Sequence, residues 1–390
     1  MKVLMLVNWK IKYCNSVPEN LQSPDYYVKD QPYWFFKYMP SDMEIDVVDI
    51  RSFKWLEDFE RNRIRFYIWQ TFKILPRLKQ YDLVISHGMQ SGIVLAIIRR
   101  IFGKGRYKHL VFDIGAFNSA RESGKSLKLM QFASRSIDAV IYHTKSQVDY
   151  YKKCHPWLVE RSKFIPFGTD YDFFTRKIPA SIHKSMDIKD YILCAGYNKR
   201  DWITLADAYS KIQTDVKLVM VGHIDDKIRD IDSRIIMLPK VSVEELRCWI
   251  KDALFCVLPL EYMNYSFGQM TLLQQMAMGK AVITADVPSI EAYKMSYSDL
   301  ANKCSNNGHD NSITDSFELN QNTNMTNNML IYESGNASDL KKKIEYLIAN
   351  PDLITMIGRN AKDSVKNYFN EQVMANSIWN YIKEIMNEGI

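Results

Sequence analysis

A chain of 390 residues, 47% hydrophobic and 25% charged, is long enough for two or three cores and too apolar to stay disordered. Its six cysteines (Cys14, Cys154, Cys194, Cys248, Cys256 and Cys304) have no CxxC or other metal-ligand spacing, so neither a disulfide scaffold nor a structural metal is implied. The net charge of +6 is uneven: residues 1–175 carry 27 Lys/Arg against 18 Asp/Glu, and from Arg61 to His109 eleven bases meet one acid, Asp82. Such a field predicts an anionic partner for the first half.

The opening Met-Lys-Val-Leu-Met-Leu-Val-Asn-Trp has an apolar run too short for a signal peptide and reads as a buried strand. No apolar stretch approaches the roughly 20 residues of a bilayer span, so a cytoplasmic location is expected, with peripheral attachment to the inner membrane face as an option. Val3–Val7, Ile45–Val48, Leu83–Ile85, Leu110–Phe112 and Ala139–Tyr142 are predicted strands. Helical patterns at Pro32–Tyr38, Arg61–Leu78, Ser91–Phe102 and Ser126–Ser136 separate them. Arg61, Arg65, Trp69, Lys73 and Arg77 recur at every fourth position of the second pattern, a stripe suited to an anionic membrane surface. A further basic group, Arg99 to Lys108, follows the third helix. No recognised nucleic-acid module is present, and a nucleic-acid partner is not expected.

After a polar break at Thr175–Asp187 the alternation resumes, with strands at Tyr191–Cys194, Lys217–Val221, Ile235–Leu238, Phe255–Leu258 and Ala281–Thr284. A polar insertion, about residues 296–328, interrupts it. Helices follow at Ala337–Ile348 and Leu353–Phe369, and a final one spans Asn370–Met386. Strands separated by helices mean βαβ units and parallel sheets. The α/β class is therefore expected, with two doubly wound Rossmann-like domains facing across a cleft. Their expected bounds are 1–175 and 188–370, with residues 371–390 as a helix packing back on the first domain. Ligands of such sheets sit at the carboxyl ends of the strands.

Three segments carry chemistry. In Val257-Leu-Pro-Leu-Glu261 and Ser266-Phe-Gly-Gln269, a strand ends, a loop passes Gly268, and a helix begins. Free N–H groups and the positive end of a helix dipole suit a pyrophosphate. Tyr191-Ile-Leu-Cys-Ala-Gly196 is followed by Lys199 and Arg200 just before a helix, where two cations can clamp a diphosphate. Lys163-Phe-Ile-Pro-Phe-Gly168 leads out of the first domain. Each segment alone also fits an ordinary α/β strand, loop and helix.

In this order the segments resemble the GT-B glycosyltransferases, specifically glycosyltransferase family 4 (group 1). Ile165–Phe174 is similar to the family's segment before its hinge, Gly196–Arg200 to its glycine and cation, and Ser266–Ile283 to its glycine-rich loop and helix. The resemblance covers residues 160–385, and the first half in architecture only. It implies a nucleotide-sugar site made by Gly196, Lys199, Arg200, Lys240, Val241, Glu261, Ser266, Phe267, Gly268, Gln269 and Gln274. Lys240 and Val241 would lie beside the base. Where the family has two glutamates, E-x7-E, this chain has Ser266 near the first place and Gln274 at the second. Gln274 can still accept from ribose hydroxyls. Glu261, or the backbone around Ser266–Gln269, would stand in at the sugar.

Asp113 and His87 end predicted strands of the first domain and are its catalytic candidates. Each fits a general base on the acceptor, a positioning group, or an ordinary cap or packed side chain. The resemblance implies retention of anomeric configuration, for which a protein base is not clearly required. The activity implied is transfer of a hexose from a nucleotide diphosphate sugar, UDP before GDP, without a metal or other cofactor. The acceptor implied is a glycan or lipid-linked molecule at the cytoplasmic membrane face, in cell-surface polysaccharide or glycolipid synthesis. A sugar-nucleotide epimerase of GT-B-like fold and a non-catalytic sugar-nucleotide-binding partner of another transferase stay open as alternatives.

Overall fold

The computed structural model describes residues 1–115, 117, 122–178, 188–295 and 325–387. The chain divides into two compact units. The first holds Met1–Gly168, Asn264–Phe267 and the segment from Glu371 onward; the second holds Thr169–Met263 and Gly268–Asn370.

In the first unit the strands are β1 (Lys2–Leu6), β2 (Lys12–Cys14), β3 (Tyr26–Val28), β4 (Glu44–Val48), β5 (Leu83–His87), β6 (Lys108–Asp113), β7 (Ala139–Tyr142) and β8 (Ser162–Phe164). Six of them form one parallel sheet in the order β4-β1-β5-β6-β7-β8, while β2 and β3 pair separately. The helices are α1 (Lys54–Phe59), α2 (Ile68–Ile74), α3 (Met89–Phe102), α4 (Lys125–Ser134) and α5 (Gln147–Cys154). A strand's side chains alternate between faces, and the core divides accordingly. Val3, Met5, Leu83, Ile85, Leu110 and Phe112 pack with Phe35, Phe36 and the C-terminal residues Met374, Ala375, Ile378 and Ile382. Their neighbours Leu4, Leu6 and Val84 pack with Ile74, Leu78 and Leu95, and Val111 and Val140 with Ala96, Met130 and Ala133. Each buried Val, Leu, Ile, Phe or Met side chain contributes about 1.5–3 kcal/mol, which is why a sheet covered on both faces reads as continuous apolar runs.

The second unit repeats the plan. Its strands are β9 (Tyr191–Ala195), β10 (Lys217–Val221), β11 (Ile235–Leu238), β12 (Phe255–Leu258), β13 (Val282–Ala285), β14 (Met325–Thr326) and β15 (Met329–Tyr332). They run β11-β10-β9-β12-β13-β15-β14, all parallel except β14 against β15. Its helices are α6 (Tyr171–Thr175), α7 (Trp202–Ser210), α8 (Asp226–Arg229), α9 (Val243–Asp252), α10 (Gln269–Ala277), α11 (Ala337–Ala349) and α12 (Pro351–Tyr368). The last helix of the chain, α13 (Glu371–Asn387), belongs to the first unit, where the Tyr381 hydroxyl donates to Arg161 O at 2.8 Å and Lys163 pairs with Glu384.

Two sequence expectations change. Residues 296–324 of the polar insertion lie outside the described residues, as do 179–187 of the polar break. The insertion's expected last residue, Asn328, is fully buried: its amide donates to Tyr293 O at 2.9 Å and to Ser364 Oγ at 3.2 Å, and it accepts from Met295 N. It is a built part of the β14–β15 turn.

The expected single helix Arg61–Leu78 is broken. After α1 a π-helical turn, Glu60–Ile64, ends on Arg65 in the left-handed region, α2 starts at Ile68, and a 3-10 turn with an early proline covers Leu75–Gln80. Buried Glu60 accepts from Trp69 N at 2.8 Å and so caps α2 across the break, and Pro76 lacks the N–H to continue the α-helix. Arg61 pairs with Glu57, and Lys73 donates to Arg51 O at 2.8 Å. Arg61, Arg65, Trp69, Lys73 and Arg77 therefore do not share one helix face, and the continuous basic stripe is not formed.

The first unit also buries four histidines. Burial holds His87 and His109 down to about 3, and His143 and His155 to about 4. Each is neutral when folded and takes a proton near pH 6.5 when unfolded. The unfolded chain thus binds more protons below that pH, and the stabilisation is complete above it and lost as pH falls. Thermal melts should be flat above pH 7 and drop between pH 6.5 and 5, each histidine removing on the order of 1–2 kcal/mol. Melting temperatures unchanged from pH 7 to pH 5 would contradict this.

Candidate functional site

The strongest site in the second unit starts where β9 ends. Tyr191 to Ala195 are buried along their length, and the chain leaves the sheet through Gly196 at φ +108°. A side chain there is blocked twice, by the positive φ and by Arg200, whose Nη2 occupies the place a Cβ would take. The Arg200 side chain folds back under that glycine and is 8% exposed. Its Nε donates to Ala195 O at 3.0 Å, Nη1 to Asn198 O at 2.8 Å, and Nη2 to Thr271 Oγ1 at 2.9 Å. All three acceptors are neutral, and among the described residues no carboxylate lies within 4.0 Å of this guanidinium. Burial pulls its pKa below the usual arginine value, the direction expected of a cation with no counter-charge. A buried charge of this kind is costly unless an anion compensates it.

Thr271 lies in the first turn of α10. That helix begins on Gly268, left-handed at φ +79°, with no side-chain cap. A Cβ on Gly268 would meet Leu260 Cδ1 at 2.8 Å. The dipole's positive end and the Arg200 charge therefore converge on one place. Beside them Lys199, at φ +55°, holds Glu261 Oε2 at 3.2 Å, both side chains partly open to solvent. Such a pair is weak, so Lys199 can exchange that carboxylate for a phosphate at little cost. Lys240 Nζ stands 5.2 Å from the ring centre of Tyr197, whose side chain is 62% exposed. Val241 follows Lys240, half-buried.

Gly196, Lys199, Arg200, Glu261, Gly268 and Gln269 thus gather around the carboxyl end of β9 and the start of α10. Gln274 sits one turn further along α10, 6% exposed. Ser266 and Phe267 fall in the segment assigned to the first unit, where the Phe267 ring lies 5.4 Å from Tyr265. Sequence reasoning missed Thr271 and Tyr197. The signal for Thr271 was its first-turn place three residues after Gly268; that for Tyr197 was an aromatic directly after a strand-end glycine.

In the first unit Asp113 ends β6 and His87 ends β5. Asp113 is fully buried. Its Oδ2 accepts from Tyr151 Oη at 2.5 Å and Gln147 Nε2 at 2.9 Å, and its Oδ1 from Gly115 N at 3.0 Å and Phe117 N at 3.4 Å. Burial raises its pKa and those four donors lower it. Tyr151 and Gln147 are one helical turn apart on α5, so they meet one carboxylate together. With four donors engaged, Asp113 holds the backbone of Gly115 and Phe117 after β6. His87 packs between Trp9, at 4.8 Å, and Trp34, at 5.4 Å, with Phe112 at 5.7 Å. Both its ring nitrogens are buried and lack a hydrogen-bond partner among the described residues.

Residues 189–297 match the family described as Glycosyl transferases group 1. Solved structures share the fold over the whole chain. A sucrose-phosphate synthase from Thermosynechococcus elongatus is 15% identical with a TM-score of 0.66, covering 100% of both chains. Anabaena HepE in complex with UDP is 14% identical with a TM-score of 0.64, covering 98% of this chain and 100% of its own. A glycosyltransferase from Rickettsia africae is 15% identical with a TM-score of 0.66, covering 100% and 99%. No curated protein sequence matches. Both the GT-B fold and the group 1 resemblance expected from the sequence are borne out.

Since a Cβ at 196 strains the backbone and displaces Arg200, Gly196→Ala should lower stability by about 1–3 kcal/mol. Denaturant titration of the two proteins checks this, and an equal midpoint would remove the wedge argument.

Proposed function

We propose, for a chain with the GT-B fold and a group 1 glycosyltransferase match in its second unit, that it moves a hexose from UDP-sugar to a glycan or lipid-linked acceptor. The family match and the fold support the enzyme class, a hexosyltransferase. The observation that carries the donor reading is the buried Arg200 cation, without a carboxylate, beside the start of α10. A diphosphate supplies the missing negative charge. HepE structures hold UDP and UDP-glucose, which supports uracil as the base.

In this reading Arg200, Lys199 and the Gly268 turn take the diphosphate. Tyr197, Lys240 and Val241 flank the base, Gln274 accepts from the ribose hydroxyls, and Glu261 or the backbone of Ser266–Gln269 meets the sugar. Lys199 leaves Glu261 for phosphate as the donor enters, which frees that carboxylate for sugar hydroxyls. The first unit takes the acceptor, with Asp113 and His87 as positioning groups: one holds the backbone of Gly115 and Phe117 and the other remains a neutral imidazole. The acceptor is a glycan or lipid-linked molecule at the cytoplasmic membrane face, in cell-surface polysaccharide or glycolipid synthesis, and no metal takes part.

Arg200→Ala should weaken UDP binding about 10- to 100-fold, the loss of one charge-assisted contact of about 1.5–3 kcal/mol. Uridine binding should change little and serves as the control for folding. Calorimetry with both ligands checks this, and equal losses would remove Arg200 from the phosphate site. Incubation with UDP-sugars and an acceptor panel tests transfer itself: UDP release that depends on acceptor is expected, and none with any acceptor would sink the reading.

A further inference from the structure

The outer face of α3 and α4 leaves large apolar side chains in water. Phe102 is 82% exposed, Ile101 60%, Phe132 42% and Leu129 37%. They lie on two helices that pack side by side, and the Arg100 guanidinium lies over the Phe132 ring at 5.9 Å, joining the two. On α4, Lys125, Lys128, Leu129 and Phe132, followed by Arg135 just past its end, recur at helical spacing on the exposed side, while Leu127, Met130 and Ala133 are buried.

Charge surrounds this apolar group with one sign. Arg100, Lys104, Arg106, Lys125, Lys128 and Arg135 are all exposed. The nearby acids are already engaged: Asp138 by Arg99 and Lys104, and Glu122 by Lys153. Among the described residues, Arg100, Arg106, Lys125 and Lys128 have no carboxylate within 4.0 Å. The exposed aromatics of α1, Trp55 and Phe59, differ in this respect. Glu57 beside them takes both Lys10 and Arg61, and Asp58 adds a further negative charge, so acids are interleaved there with the exposed cations Lys54, Arg63 and Arg65.

We propose that the α3–α4 face docks the chain on an anionic lipid bilayer. Phe102, Ile101, Leu129 and Phe132 enter the boundary between headgroups and acyl chains, and the cations meet lipid phosphates. Apolar insertion alone would not select anionic lipid, and cations alone would gain nothing from four exposed hydrophobics; a bilayer surface rewards both. The biological purpose rests on the membrane-face acceptor reading, but the physics of the surface does not.

The test is co-sedimentation of the full chain with vesicles of equimolar phosphatidylglycerol and phosphatidylcholine, and of phosphatidylcholine alone. The chain should sediment with the anionic vesicles, and less as salt rises. The double change Ile101→Glu and Phe102→Glu, and separately Arg106→Glu with Lys128→Glu, should each reduce partitioning about tenfold or more. The pair Trp55→Glu and Phe59→Glu should leave it unchanged. All these side chains are exposed, and an unchanged melting temperature confirms that each variant folds. A wild-type chain that stays in the supernatant overturns the proposal. So does binding that survives the double change on α3 but is lost with the α1 pair. Vesicle binding by a chain that releases no UDP with any acceptor would sink the transferase reading and leave the docking surface standing.

Discussion

One buried guanidinium organises the carboxyl end of the second sheet. Arg200 bonds the last residue of β9, the loop that follows it and the first turn of α10, joining the strand end to a helix distant in sequence. It fits only because residue 196 has no side chain. The arrangement leaves a positive charge with neutral acceptors where a helix dipole adds to it. Local order and appetite for an anion therefore have the same source, since the groups that fix the arginine do not neutralise it.

The first unit meets the same geometric opportunity differently. Its strand ends carry Asp113 and His87, and both are spent inward. Asp113 saturates itself with donors from its own loop and from α5. His87 is desolvated among aromatic rings and stays neutral. A carboxylate and an imidazole at strand ends suggest acid–base chemistry in sequence; burial turns one into a brace and the other into a pH-sensitive core residue.

The basic excess of the first half is distributed by the fold. Part of it is internal: Lys73 ties α2 to the carbonyl of Arg51, and Arg99 is buried against Asp138. Part of the exposed remainder, at the ends of α3 and α4, lies next to apolar side chains. Charge counting could locate the excess but could not separate cations that brace the fold from cations that face solvent.

The sequence by itself determined the α/β class, the two parallel sheets and most strand positions, because strands buried on both faces must be apolar runs bounded by turn residues. It also determined the glycine–cation pair at Gly196–Arg200 and the glycine opening α10, since those contacts are local and need particular residue types. Tertiary structure decided what depends on distant partners. Thr271 holds Arg200 across 71 residues and Tyr151 meets Asp113 across 38, separations at which no spacing rule operates. It decided the break at Arg65 as well, where the four-residue period of Arg61, Arg65, Trp69 and Lys73 satisfied a helix pattern. Capping of Trp69 N by the buried Glu60 carboxylate outweighed that local preference, because a buried charge-assisted hydrogen bond is worth more than the propensity of a few residues.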